Sequence, residues 1–197
     1  MARTLLRRTA GIVAVVGALS LGGCSSDGGG SVAEPSSAAT SASPAPSPSA
    51  SRVVVKPVRP AAMDDDGPAG AEAAAKYFLE LDSYMQASGD TSEWEGMSHE
   101  SCEYCAKRLD QARQIVANGD TFEGGEAAVE VLHTYAQDGT TGIWPIDVRV
   151  HETATKITSA SGEVAFSNAK NVYSARIELG RQRDSWVIVE LGNTKPQ

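Results

Sequence analysis

The sequence predicts an α+β domain in which helices come first and pack on one face of a curved antiparallel sheet, the whole preceded by a disordered tether. Two periodicities and one shift in composition predict it. Between residues 68 and 119 apolar side chains recur at steps of three and four, after residue 125 they alternate with polar ones, and the first third is rich in Gly, Ser, Ala and Pro. The first spacing lays apolar groups along one face of a helix, and the second lays them on one side of a strand. Helices followed by half-buried strands are the element order of α+β domains.

The chain has 197 residues and a formal charge of −8. An acidic chain repels phosphate backbones, which argues against nucleic acid and against adhesion to anionic lipid by charge alone. Only residues 68–197 have the composition to form a core, and a segment of that length buries about two thirds of its unfolded surface, enough to be stable without a metal.

Arg3, Arg7 and Arg8 precede an apolar run that ends in Leu21-Gly22-Gly23-Cys24. The run is shorter than the roughly 20 residues of a membrane-spanning helix and suits a secretory signal. Leu, two small residues and then Cys resembles the lipobox of bacterial lipoproteins. The resemblance implies a signal peptide over 1–23 and a diacylglyceryl group with palmitate-type chains on Cys24. The Arg7-Arg8 pair raises twin-arginine export, but the residues around it match that motif poorly, and general secretion is the expected route. Two or more acyl chains anchor a protein stably where one does not. Residues 24–67 then read as a linker. Such a composition has little to bury and predicts disorder, with a reach of about 35 Å as a flexible coil. Val53 to Val55 is too short a run to prefer strand addition over linker.

Within 68–197, Asp66 and Pro68 signal a helix start, Ala74, Phe78, Leu81 and Met85 mark its buried face, and Gly89-Asp90 ends it. Trp94 and Met97 sit in a short turn or helix that covers the core. A third helix spans 98–119, capped by Ser98 or Ser101, with Cys102-Glu103-Tyr104-Cys105 in its first turn. Cys102, Cys105, Leu109, Ala112 and Val116 share its apolar stripe, which makes it the expected pivot of the domain. Three strands follow from alternation: Val129, Val131, His133 and Tyr135; Ile146, Val148 and Val150; Tyr173, Ala175, Ile177 and Leu179. Residues 180–183 are the expected tight connection to a last strand at Trp186.

The run Gly70-Ala71-Glu72-Ala73, Tyr77-Phe78, Tyr84, Gly89-Asp90, Ser101 to Cys105, Gly119, Glu123-Gly124-Gly125 and Trp186 resembles a domain of unknown function in actinobacterial lipoproteins. The resemblance covers about residues 68–192. By analogy of element order it implies a cone-like fold similar to nuclear transport factor 2, with helices closing a cavity over the sheet. It implies no reaction, and no catalytic residue is carried over from it.

With Cys24 acylated, Cys102 and Cys105 form an even pair in an oxidising setting. We read them as a structural disulfide, worth about 2 kcal/mol for so small a loop. A thiol-disulfide oxidoreductase is the rival, because a helix start lowers a thiol pKa. Trp144-Pro145 even mimics a distal proline, but no strand precedes the pair, and Glu100 and Glu103 oppose a thiolate. Zinc bound by His99, Cys102 and Cys105 lacks a fourth ligand. His133 or His151 could act as a general base oriented by Asp147, although a solvated strand histidine is the commoner case. Tyr77, Phe78, Tyr84, Trp94 and Trp186 would line a pocket if the cone is open.

The function read from the sequence is a lipid-anchored, extracytoplasmic, non-enzymatic binding or interaction module of the cell envelope, with no cofactor and no metal. Its partners are the membrane through the lipid, and an envelope protein or a small apolar ligand. The alternative is an enzyme, either through the cysteine pair or through a cavity.

Overall fold

In the computed structural model, which describes residues 54–194, Pro68 opens α1 (Pro68–Ser88) and Gly89 in the left-handed conformation closes it. Pro fits the first helical position, where its missing N–H has no intrahelical partner to lose. A short α2 (Ser92–Met97) follows and buries Trp94 and Met97, as the spacing predicts. The third helix, α3 (Glu103–Asn118), starts five residues later than residue 98. Its cap is Cys102, whose Sγ accepts the Cys105 amide at 3.2 Å, and neither Ser98 nor Ser101 takes that place. Ser98 bridges to Ile188 instead, while the Ser101 hydroxyl contacts the Val189 carbonyl and the His99 ring.

The pivot is α1, not the cysteine helix. α1 buries Ala71, Ala74, Tyr77, Phe78, Leu81, Met85 and more on several sides, whereas α3 buries only Cys105, Ala112 and Ile115. Ile115, rather than Val116, ends the α3 stripe. It turns toward a small second core with Phe122 and Ile157, and Val116 is left 59 % exposed.

Seven strands follow: β1 (Thr121–Gly124), β2 (Ala127–Thr134), β3 (Trp144–Glu152), β4 (Thr155–Thr158), β5 (Val164–Asn168), β6 (Asn171–Gln182) and β7 (Ser185–Asn193). The larger sheet has the order β2-β3-β6-β7 and the smaller one β1-β4-β5, all antiparallel. β1 runs on into β2, β3 into β4 and β5 into β6, so the small sheet is the large one continued around a corner. The corner is made at Gly124 and Gly125, both at positive φ. A Cβ on Gly124 would meet the Ala154 carbonyl oxygen at 1.8 Å, so only glycine lets the two strands cross there. This bend supplies the sheet curvature that the α+β reading calls for. Ile146, Val148, Val150, Ala175, Ile177 and Leu179 face the helices as their alternation predicts.

Three expectations shift. A bulge between Val131 and His133 flips the end of β2, so Thr134 turns inward to donate to Glu72 Oε1 at 2.6 Å, and His133 and Tyr135 turn out. The tight turn lies at Arg183 and Asp184, both at positive φ, with Gly180 inside β6. The packed body also begins before Pro68. Residues 54–67 form a strap with a 3-10 turn, Ala61–Asp64; Met63 is buried, and its carbonyl accepts the Trp186 indole N–H at 3.1 Å. Lys56 pairs with Glu93 at 2.5 Å and Asp66 with Arg181 at 2.8 Å. Composition hides this strap, because one methionine and a carbonyl are its main anchors.

Candidate functional site

Asp82 and Gln86 lie one turn apart on α1, and Tyr104 and Arg108 lie one turn apart on α3, so the two helices meet along a polar seam. Arg108 Nε donates to Asp82 Oδ1 at 2.8 Å, and a second guanidinium nitrogen donates to Oδ2. Arg108 also reaches Gln111, and its carbonyl accepts Gln86 Nε2 at 2.8 Å. Beside this seam lies a cleft of about 250 Å³, lined by Leu79, Asp82, Tyr104, Arg108, Gly125, Ala127, Glu152, Asn171, Tyr173 and Asn193. A second hollow of about 500 Å³ shares Tyr104 and Asn193 and opens between α3 and β7.

The sheet side of the cleft follows from register. Glu152 pairs with Ala127 on one flank and Asn171 on the other, and Tyr173 pairs with Val150. Alternation therefore stands Glu152 on the same face as buried Val148 and Val150, facing the helices. Ala127 is small, which leaves a hollow over the carboxylate.

Burial raises the Glu152 carboxyl above the ordinary range; Asp82 adds to the rise, and Arg108 and the Thr155 hydroxyl oppose it. Burial also pushes Tyr173 up to about 12, helped by the charges of Glu152 and Asp82. Tyr104 is raised further by burial, with Asp82 contributing. Burial alone would favour neutral Arg108, yet its bond to Asp82 holds it more firmly protonated than a free arginine. The cleft is thus a partly desolvated place with neutral phenols, a committed ion pair and one carboxylate that has no ion-pair partner among the described residues.

The residues singled out from sequence lie elsewhere. Tyr77, Phe78, Trp94 and Trp186 are core, at most 2 % exposed, and line neither hollow. Phe78 stacks on Trp94 at 3.9 Å. Tyr84 is half-buried and donates to Asp90 at 3.1 Å. These rings are large enough to fill the cone, which is why they pack it rather than line it.

Cys102 and Cys105 are joined in a disulfide with Cα atoms 5.2 Å apart, each 1 % exposed. Burial denies an attacking thiolate access to either sulfur, against the oxidoreductase reading, and a disulfide cannot serve as a zinc thiolate pair. Among the described residues no cluster of metal-ligating side chains is present. His133 packs edge-on to Tyr135 at 4.3 Å, while Asp147 is held by Arg176 at 2.8 and 2.9 Å and by the Tyr135 hydroxyl, not by a histidine. His151 is exposed on the face away from the helices. Cys24 lies outside the described residues.

Sequence reasoning missed Asp82, Glu152, Arg108 and Tyr173 as a set. The signal was present for two of them. Asp82 follows Phe78 by four on the buried face of α1, and Glu152 continues the inward series Ile146, Val148, Val150. An acid in a core-facing place is the informative observation.

A family model described as a family of unknown function, DUF6318, matches residues 40–192. No curated protein matches the chain in sequence. Among solved structures, the intermembrane space region of the chloroplast protein ARC6 superposes with a TM-score of 0.54 at 12% identity, covering 66% of this chain and 98% of that one. That likeness is one of fold. A periplasmic fragment of TraM aligns with a TM-score of 0.39 at 12% identity over 64% of this chain and 96% of its own. An uncharacterized protein with a cystatin-like fold from Caulobacter vibrioides aligns with 0.37 at 7% identity, over 64% and 89%.

Proposed function

The chain belongs to the DUF6318 family of unknown function, and from that premise we propose that it is a lipid-anchored, extracytoplasmic module that binds a ligand in the cleft between α1, α3 and the sheet without transforming it. The observation that carries this reading is the cleft itself. Asp82, Tyr104, Arg108, Glu152 and Tyr173 come from two helices and two strands to one hollow. Buried charge is commonly less stable than apolar packing of the same volume. A fold that gathers charge around a hollow instead of closing it is built to receive something.

The non-catalytic part rests on how the groups are committed. Arg108 is tied to Asp82 and Gln111, both phenols stay protonated, and the disulfide is covered. The extracytoplasmic part is supported by the cysteine pair, joined as oxidising compartments favour, and by the Leu21-Gly22-Gly23-Cys24 motif. In this reading the lipid on Cys24 is the anchor, as the lipobox-like motif suggests; no helix among the described residues is long and apolar enough to cross a membrane.

Two measurements test the reading. Full-length protein should partition with membranes and Cys24→Ser should release it; equal partitioning of the two would remove the anchor. Amide shifts of the domain, recorded against a panel of neutral, anionic and cationic fragments, should converge on Tyr104, Glu152 and Tyr173. Shifts that cluster elsewhere, or nowhere, would remove the cleft as the working surface.

A further inference from the structure

We propose that the cleft takes a small organic cation, an alkylammonium head group seated between the Glu152 carboxylate and the rings of Tyr104 and Tyr173. The inference rests on the binding role proposed for the cleft and adds the ligand's chemical class.

Charge is the first argument. Asp82 and Glu152 bring two negative charges to the lining and Arg108 the only positive one. Asp82 satisfies that positive charge at two nitrogens and Gln111 at a third, so the guanidinium is not free to receive an anion. Glu152 is left as the group with charge to spare, and among the described residues no lysine or arginine pairs with it. A half-buried carboxylate without a cation is costly, and an entering ammonium removes that cost.

Walls are the second argument. Tyr104 and Tyr173 line the cleft from opposite layers, the first on α3 and the second on β6. Aromatic faces attract cations within about 6 Å, most strongly where water is excluded. Both phenols are raised by burial first and then by the charges of Asp82 and Glu152, with Arg108 opposing. The Asn171 and Asn193 amides complete the lining with oxygen acceptors for ammonium N–H groups.

Size is the third. About 250 Å³ lies just under the roughly 300–1,000 Å³ of sites for drug-sized molecules, so the ligand is a head group or a small amine. The chain's net charge of −8 favours its approach.

The test uses three probes of equal chain length that differ in their head groups: n-butylammonium, n-butanol and butyrate, titrated into the domain while amide shifts are followed. Butylammonium should move the resonances of Tyr104, Asn171 and Tyr173, and butyrate should not. Glu152→Gln should weaken butylammonium about ten- to hundredfold, the loss expected for a charged hydrogen bond. Tyr173→Leu, which keeps the apolar bulk and removes the ring, should weaken it independently. Butanol or butyrate binding in the cleft as well as butylammonium would overturn the cationic class while leaving a binding cleft. If none of the three moves a cleft resonance, the inference is overturned, and the wider fragment panel decides separately whether the cleft binds at all.

Discussion

Asp82 and Arg108 join α1 to α3 through a two-point ion pair whose side chains are only 12% and 22% exposed. Removing one partner strands the other charge out of water, whereas removing both does not. Asp82→Asn should therefore cost about 3–5 kcal/mol in urea unfolding. The double variant Asp82→Leu with Arg108→Met should cost much less than the sum of the single changes. Additive losses would show that the pair is solvated and incidental.

Glu152 gives the molecule a pH signature. Its carboxyl is raised in the folded state by burial first and by Asp82 second, against the pull of Arg108 and Thr155, while unfolded it titrates near the ordinary glutamate value of 4.5. Between those values the folded state holds the proton more tightly, so stability falls as pH rises from about 4.5 through the raised folded value. The penalty is complete above that value and absent at low pH. Glu152→Gln should melt higher than the parent at neutral pH, and the two curves should meet below pH ~4. Parallel curves across the range would place the carboxylate in water.

Gly124→Ala should disrupt the corner between the two sheets, since the added Cβ lies 1.8 Å from the Ala154 carbonyl oxygen and φ is 81°. Positive φ alone costs about 1–2 kcal/mol, and the clash adds to it. Gly96→Ala is the control: nothing lies within 4 Å of its Cβ, and alanine in place of helical glycine should be neutral or stabilising by up to about 1 kcal/mol. Similar melting temperatures for the two variants would mean that the corner bends in another way.

The strap makes a prediction about where the stable domain begins. A chain starting at Val54 should be more stable than one starting at Pro68 by about 2–4 kcal/mol, the burial of one methionine and one indole hydrogen bond. Gly70→Ala should imitate the truncation within the intact chain, because its Cβ would meet the Asp65 carbonyl oxygen at 1.8 Å and push the strap away. Both changes should shift tryptophan emission to the red as Trp186 is uncovered. Equal stability and emission would make the strap an ornament.

The element order was legible because local spacing encodes it. Phe78, Leu81 and Met85 had to share a helix face, and Ile146, Val148 and Val150 a sheet face, whatever the rest of the chain did. The small sheet was not legible. β1, β4 and β5 are four or five residues long, and β5 is exposed along its whole length, so neither burial nor alternation marks it. The bulge in β2 escaped for a related reason: one extra residue at Leu132 changes which side chains face inward without changing composition.

The sequence by itself determined the class of the fold, the ends of α1, the pairing partner of each domain cysteine and the acidity of the surface, because each follows from neighbours in the chain or from composition. Only the tertiary structure decided the site. It closed the cone with Tyr77, Phe78, Trp94 and Trp186, turned His133 outward, and brought Asp82, Arg108, Glu152 and Tyr173 from distant parts of the chain to one hollow. Charge separation and desolvation are properties of distances in space, and residues as far apart in sequence as Asp82 and Glu152 acquire those distances only when helix and sheet pack.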